Sequence, residues 1–279
     1  MVMKRNKRPA FNLGCVVLTS LLALQGCADA LDGADYESEA LPQQLADGGV
    51  GGDASRPTSS SVGGLDAGTS SSEPRWAQRQ DLGKGDGKDV ILIGDSWMSL
   101  IGEGLQVAMK QINRGYRAYG VPGTKMLDGF GPIPTQFDQA VRADKNIKTI
   151  VMTGGGNDVL IGGPADCSRA GPNCKRKLIE IRDGLVKLWE KAAAAGVQDV
   201  MYIGYSEGAG STPAEITNAT KNGVGDACLA MKSLNCHLID STPIIGRRLK
   251  ADGIHPQQVA HRDLAQAVYK LMEQRKVRR

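Results

Sequence analysis

From residue 88 onward, short apolar runs alternate with longer segments whose apolar side chains recur at helical spacing. A run in which nearly every side chain is apolar fits a strand buried on both faces, as in a parallel sheet that helices cover on both sides. The pattern therefore predicts a single α/β domain with three layers (α/β/α), of flavodoxin-like type, and a parallel sheet of about five strands. The predicted strands are residues 90–93, 116–119, 147–152, 200–203 and 236–239.

The segments between these strands carry the spacing of amphipathic helices. It predicts helices over residues 100–112 and 136–143, and a longer helix that includes residues 178–192. Trp189 lies on the apolar face of that longer helix, so we expect it in the core. A last helix is predicted to begin near Pro256, because proline is favoured in the first turn of a helix.

The first 27 residues have the organisation of an export signal. Four basic residues precede an apolar stretch, residues 11–24, which is too short to predict a membrane span. The stretch ends in Leu24-Gln-Gly-Cys27, which resembles a bacterial lipobox, where cleavage occurs before a cysteine that carries a lipid. We therefore expect an exported bacterial lipoprotein whose Cys27 anchors it to a membrane. The alternative is an ordinary cleaved signal with an incidental cysteine.

Residues 28–75 differ from the rest of the chain in composition. They are rich in Gly, Ser, Asp and Ala and have few large apolar side chains. Such a segment cannot offset the entropy cost of ordering, so it is expected to be a flexible linker. The predicted organisation is a signal over residues 1–27, a linker over residues 28–75 and a folded domain over residues 76–279.

Charge gives little support for a nucleic-acid partner. The four basic residues of the predicted signal account for the net charge of +4. Basic and aromatic residues do not interleave in the sequence, so we expect no binding to nucleic acid. The basic tail, residues 275–279, is expected to be a solvated helix end.

The four cysteines that follow the predicted signal indicate how the folded domain is cross-linked. Two of the six lie within the first 27 residues, and an even number in an exported domain favours disulfides. Three pairings are possible, and free thiols are the alternative. We favour the two short loops, and we expect no metal site because the cysteines lack C-x-x-C spacing and a histidine pair. The favoured pairs are Cys167–Cys174 and Cys228–Cys236.

Two fragments carry residues suited to nucleophilic catalysis. Gly94-Asp-Ser96 follows the first predicted strand, and Asp252-Gly-Ile-His255 precedes the last predicted helix. A serine hydroxyl becomes a good nucleophile when an imidazole takes its proton and a carboxylate orients that imidazole. We therefore predict Ser96, His255 and Asp252 as a catalytic set, with Asp158 as a less favoured alternative for the acid.

Two further segments follow neighbouring strands and supply hydrogen-bond donors. Gly123 follows the second predicted strand, and Asn157 follows the third. The carboxyl ends of parallel strands meet at one edge of a sheet, where ligand sites of α/β proteins form. The backbone N–H groups of Ser96 and Gly123 and the side chain of Asn157 are thus predicted to form an oxyanion hole.

The four segments occur in an order that resembles the SGNH hydrolase superfamily, also called GDSL-like lipases and esterases. The resemblance covers about residues 88–274. It implies that Ser96 is the nucleophile, that His255 is the general base and that no metal or organic cofactor is needed. Trp97 departs from the leucine that many members carry, and we expect it to shape the wall of the pocket.

The resemblance implies a serine esterase acting through a Ser-His-Asp acyl-enzyme mechanism on a small-molecule or polysaccharide ester. The loops near the site have no long apolar stretch that suits an acyl chain. A short acyl group, such as acetyl on a cell-wall or extracellular polysaccharide, is therefore our expected substrate. Two alternatives remain, which are an O-acyltransferase that uses a sugar hydroxyl and a surface-anchored binding protein without turnover.

Overall fold

The computed structural model describes residues 84–129, 131–206 and 223–279. All of these residues belong to one compact unit of the chain. The predicted export signal, Cys27 and the predicted linker lie outside them. In these described ranges, no helix has both the length and the apolar character needed to cross a membrane.

Five parallel strands form the central sheet, as the sequence predicts. The order across the sheet is β2-β1-β3-β4-β5, and β1 pairs with β3 so that Ile93 lies opposite Met152. This order places β1 between β2 and β3, so the strand order reverses beside β1, and a ligand crevice is expected at that point. The strands are β1 (Val90–Ile93), β2 (Arg117–Ala118), β3 (Thr149–Met152), β4 (Asp199–Gly204) and β5 (Asn235–Asp240).

Helices cover both faces of the sheet. Alternate residues of β1 face opposite sides, so Ile91 packs in the cluster that includes α2 and α4, and Leu92 packs in the cluster that includes α1 and α6. Trp189 is fully buried in the first cluster, as predicted. The helices are α1 (Leu105–Ile112), α2 (Ile133–Ala143), α3 (Gly156–Leu160), α4 (Pro172–Ala194), α5 (Thr242–Ile245) and α6 (Gln258–Gln274), and residues 223–230 are also helical.

Two helices begin later than predicted. Helix α1 begins at Leu105 because Leu100 and Glu103 pair in a tight turn that occupies the preceding residues. Helix α6 begins at Gln258 because Pro256 is paired with Leu249 in an isolated bridge. In both places a local pairing holds the residues that the sequence predicts as the start of the helix.

The C-terminal tail is packed against the domain, so the expectation of a solvated helix end is wrong. Val277 is fully buried, and the Arg278 Nε donates to Asp89 Oδ2 at 2.8 Å. Thr149 Oγ1 donates to the Arg278 carbonyl at 3.0 Å. Asp89 precedes β1 and Thr149 begins β3, so the tail closes over the amino ends of these strands.

Both favoured disulfides are present. Cys167–Cys174 joins the short 3-10 helix Ala165–Arg169 to α4 with a Cα–Cα distance of 4.8 Å. Cys228–Cys236 joins the helical residues 223–230 to β5 with a Cα–Cα distance of 5.1 Å. Each bridge closes a short loop and constrains the unfolded chain.

Candidate active site

Ser96 lies in a tight turn directly after β1. The turn begins at Gly94, where an added Cβ would lie 2.3 Å from Thr153 Oγ1, so a larger residue cannot fit. Gln136 of α2 accepts from the Gly94 N–H at 2.7 Å and donates to the Gly94 carbonyl at 3.0 Å. The end of β1 is thus held by a buried side chain as well as by the sheet.

His255 lies beside Ser96 although 159 positions separate them in the chain. Its Nε2 is 2.8 Å from Ser96 Oγ, and its Nδ1 is 2.7 Å from Asp252 Oδ2. The fold therefore joins the two fragments into one hydrogen-bonded series. Such a series can move a proton from the serine hydroxyl to the imidazole.

Asp252 is held as a carboxylate by its own loop. Its Oδ1 accepts from the backbone N–H groups of His255 at 2.9 Å and Ile254 at 2.8 Å. Hydrogen bonds from the backbone and ring of His255 lower the pKa of Asp252 from 3.8 to about 2. The Asp252 side chain is therefore ionised at neutral pH and can orient the imidazole.

Asp158, the alternative acid, is bonded elsewhere. Its two carboxylate oxygens accept from the backbone N–H groups of Met126 at 2.7 Å and Leu127 at 3.0 Å. These bonds fix the loop that follows Thr124. The structure thus pairs His255 with Asp252 and uses Asp158 to hold a loop.

Asn157 is in the first turn of α3, at the carboxyl end of β3. It is 8% exposed, and its Nδ2 donates to the Thr124 carbonyl at 2.9 Å. A side-chain amide has two N–H groups, so one of them is available for a ligand oxygen. Thr124 Oγ1 in turn donates to the Gly94 carbonyl at 3.3 Å, which ties this loop to the end of β1.

Gly123 adopts a left-handed conformation, with φ at +76°. Within the described residues, no atom other than those of its chain neighbours lies within 4 Å of the position a Cβ would take. The positive φ favours glycine, and the open space permits close approach of a ligand to the backbone. The Gly123 loop, Ser96 and Asn157 follow β2, β1 and β3, which are neighbours in the sheet.

Trp97, which we expect to shape the pocket wall, is almost fully buried. It is 2% exposed, and its indole Nε1 donates to the Ile254 carbonyl at 3.1 Å. Ile254 directly precedes His255. The indole therefore joins the turn that carries Ser96 to the loop that carries His255.

Two residues near the turn were missed by sequence reasoning. Gln136 had a visible signal, because it is a polar residue on the apolar face of α2, between Ile133 and Phe137. Tyr205 had none, because it is one of several tyrosines and its partner, Asp95, is 110 positions away in the chain. Both residues bond to the Ser96 turn from positions that are distant in the chain.

The other two histidines lie outside this arrangement. His237 Nε2 is 3.1 Å from Asp199 Oδ1, and both residues are buried. His261 of α6 is 1% exposed, and burial lowers its pKa to about 4. In the part of the chain that the structure describes, no cluster of three or more His, Cys, Asp or Glu residues could hold a metal ion.

No protein-family model matches this sequence, and no curated protein matches it at a significant level. Solved structures do match. A carbohydrate acetylesterase from Sinorhizobium meliloti has a TM-score of 0.51 at 14% identity, over 65% of this chain and 97% of that chain. A catalytic mutant of an acetylxylan esterase from Geobacillus stearothermophilus has a TM-score of 0.50 at 19% identity, over 71% and 99%. The chain has the fold of these esterases.

Proposed function

We propose that this protein is a serine esterase of the SGNH type that hydrolyses its substrate through an acyl-enzyme. The observation that carries the proposal is the hydrogen-bonded series Ser96–His255–Asp252, with distances of 2.8 and 2.7 Å. Each member has the chemistry its position requires, which is a nucleophile, a base and an ionised carboxylate that orients the base.

In the first step, Ser96 Oγ attacks the ester carbonyl while His255 Nε2 takes the hydroxyl proton. The carbonyl oxygen becomes an oxyanion, which accepts hydrogen bonds from the backbone N–H groups of Ser96 and Gly123 and from the Asn157 amide. The Asp252 carboxylate stabilises the imidazolium. The tetrahedral intermediate then collapses, the ester C–O bond breaks, and His255 gives its proton to the leaving alcohol.

In the second step, water attacks the acyl-enzyme. His255 Nε2 takes a proton from that water, and a second tetrahedral intermediate forms on the same oxyanion donors. Collapse of this intermediate breaks the bond to Ser96 Oγ, His255 returns the proton to the serine, and the free acid leaves. Neither step uses a metal or an organic cofactor.

The proposed substrate is a short-chain ester, such as acetyl on a cell-wall or extracellular polysaccharide. Two solved esterases of this fold are described as a carbohydrate acetylesterase and an acetylxylan esterase. This likeness supports the acetyl proposal through the shared fold alone. Because one fold serves many substrates, the ester series below tests the acyl group directly. The two loops that the sequence places near the site, residues 160–174 and 205–226, contain no long apolar stretch, and most of the second loop lies outside the described residues.

We also propose that the protein is exported and anchored through a lipid on Cys27, with residues 28–75 as linker and residues 76–279 as the catalytic domain. The two disulfides support export, because such bonds persist in oxidising compartments. A membrane-anchored enzyme on a linker would reach polymers outside the cytoplasm.

The test is hydrolysis of p-nitrophenyl esters, acetate through palmitate, by the full chain and by Ser96→Ala. We expect the serine variant to lose on the order of 10⁴-fold or more in kcat on the acetate ester. Ser168→Ala is the matched control, since Ser168 is exposed and bonded within its own turn. Equal rates for Ser96→Ala and the wild type would reject the nucleophile, and rates that rise with chain length would reject the short acyl group.

A further inference from the structure

Asp95 is a buried carboxylate immediately before Ser96. It is 2% exposed, and its Oδ1 accepts from the Trp97 backbone N–H and from Thr153 Oγ1, both at 3.1 Å. Burying a carboxylate is costly unless donors compensate it. The bonds from Trp97 and Thr153 use one oxygen, so the second oxygen, Oδ2, needs a donor of its own.

Tyr205 supplies that donor. It follows the last residue of β4, Gly204, and its hydroxyl donates to Asp95 Oδ2. The same hydroxyl oxygen accepts from the Gly156 backbone N–H at 3.2 Å. Gly156 begins α3 and directly precedes Asn157. One phenol oxygen therefore bridges the turn that carries Ser96 and the helix end that carries Asn157.

The ring of Tyr205 contacts the third catalytic segment through Trp97. The two rings meet edge to face with their centroids 5.0 Å apart, an arrangement that aromatic pairs favour. The Trp97 indole donates to the Ile254 carbonyl, beside His255. The hydroxyl and ring of Tyr205 thus connect, directly or through one residue, to the segments of Ser96, Asn157 and His255.

We infer that Tyr205 is a positioning residue of this active site, which holds the nucleophile turn, the oxyanion helix and the histidine loop at fixed separations. The inference rests on the proposed function, because it assigns to Tyr205 an effect on ester hydrolysis. Tyr205 acts on the reaction through its contacts with Asp95, Gly156 and Trp97.

Burial and the neighbouring Asp95 raise the pKa of Tyr205 well above its ordinary value of 10.0, so the phenol keeps its proton and remains a donor at working pH. Oxyanion donors and nucleophile must be placed within fractions of an ångström for transition-state stabilisation. Loss of the bridging hydroxyl leaves a buried carboxylate oxygen and a backbone N–H without this partner, so the two segments are expected to separate.

The test compares Tyr205→Phe with the wild type and with a matched control. Phenylalanine retains the ring contact with Trp97 and removes the hydroxyl alone. Tyr116→Phe is the control, because Tyr116 is 1% exposed and its hydroxyl has no hydrogen-bond partner among the described residues. We expect Tyr205→Phe to lower kcat on p-nitrophenyl acetate at least tenfold with KM changed less than twofold, and Tyr116→Phe to change neither value more than twofold.

The split between kcat and KM separates positioning from a general loss of structure. Each variant is assayed well below its thermal unfolding midpoint, and the fraction of active sites is titrated with a fluorophosphonate that labels Ser96. A kcat within twofold of the wild type for folded Tyr205→Phe overturns the inference. If that variant does not fold, Trp97→Phe tests the connection to Ile254, and an unchanged kcat there overturns the part of the inference that includes the histidine loop.

The failure of the proposed function gives a different result. A wild-type chain that neither hydrolyses the esters nor reacts with the fluorophosphonate rejects the proposed function, and the inference falls with it. A wild-type chain that is active, with Tyr205→Phe equal to it, rejects the positioning role alone. Labelling identified at Ser96 by mass spectrometry distinguishes the two results.

Discussion

Lys250 and Glu103 form an ion pair with an Nζ–Oε1 distance of 2.6 Å. Glu103 lies in the loop that follows the Ser96 turn, and Lys250 lies in the loop of His255, whose carbonyl accepts from the Lys250 backbone N–H at 2.7 Å. Both charged side chains are about two-thirds buried. The pair is therefore a second connection, beside that of Trp97, between the two halves of the proposed catalytic site.

Replacing Lys250 with Met is expected to lower kcat a few-fold and to lower the free energy of unfolding by about 1 kcal/mol, since an ion pair that keeps some contact with solvent contributes little. The backbone bond to His255 remains in this variant. Steady-state kinetics and urea unfolding measure the two effects. Lys88→Met is the control, because the Lys88–Asp86 pair is exposed, and equal changes in both variants would contradict a link to His255.

Asp252→Asn is expected to lower kcat by on the order of 10³- to 10⁴-fold, because the amide no longer stabilises the imidazolium or holds the required tautomer. The wild-type carboxyl has a pKa of about 2, below its ordinary 3.8. Its contribution to the folded state is thus complete above about pH 4 and is lost as pH falls through about 2.

The check is kcat of the wild type and the variant, together with unfolding midpoints from pH 7 to pH 2. Asp158→Asn is the matched carboxylate. Asp158 accepts from the backbone N–H groups of Met126 and Leu127, so Asp158→Asn should lower the free energy of unfolding. Its kcat should fall much less than that of Asp252→Asn. If Asp252→Asn keeps the wild-type kcat, Asp252 is not a member of the proposed triad.

His261 is expected to make the domain less stable as pH falls. Burial lowers its pKa from 6.5 to about 4, while Glu103 opposes this shift and Lys250 and His255 add to it. Between about pH 6.5 and pH 4 the unfolded chain binds a proton that the folded chain excludes. The free energy of unfolding therefore decreases as the pH is lowered, by on the order of 3 kcal/mol at most.

His261→Leu should remove most of this pH dependence, because leucine does not titrate and fits a buried position. Urea unfolding at pH 7.5 and pH 4.5 measures the difference for both proteins. His237→Leu is the control for the loss of a buried histidine that has a partner, because His237 Nε2 lies within hydrogen-bond distance of Asp199. An unchanged pH dependence in His261→Leu would show that other groups cause it.

The C-terminal tail is expected to stabilise the domain without contributing to the reaction. Val277→Ala removes two methyl groups from a fully buried position and should lower the free energy of unfolding by about 1–3 kcal/mol. Its kcat should stay unchanged, because the tail covers the amino ends of β1 and β3, opposite to the proposed site. Val259→Ala, at a position that is 46% exposed, should cost about 0.5 kcal/mol or less.

Cys27→Ala is expected to abolish lipid attachment. In cells given radiolabelled palmitate, the wild-type chain should be labelled and found with membranes, and the variant should be unlabelled. Cys15→Ala is the control within the same predicted signal. Labelling that persists in Cys27→Ala would reject the proposed anchor and leave the esterase proposal untouched.

Much of the fold followed from local patterns in the chain. Fully apolar runs such as Val90–Ile93 predicted buried parallel strands, and all four residues of this strand are indeed buried. The short cysteine loops were also predicted, since residues seven or eight positions apart need little chain to meet. Helix starts were less predictable, because the Leu100–Glu103 turn and the Leu249–Pro256 bridge replaced the first turns of two helices.

Sequence alone determined which residue types stand after the strands and before the last helix, and so it placed Ser96, Asn157 and His255 among the candidates. Tertiary structure alone decided which side chains hold them. Tyr205 meets Asp95, Gln136 meets Gly94 and Trp97 meets Ile254 across 110, 42 and 157 positions of chain. Strand patterns arise from the period of the backbone and are local, whereas these contacts form only when the sheet brings distant strand ends together.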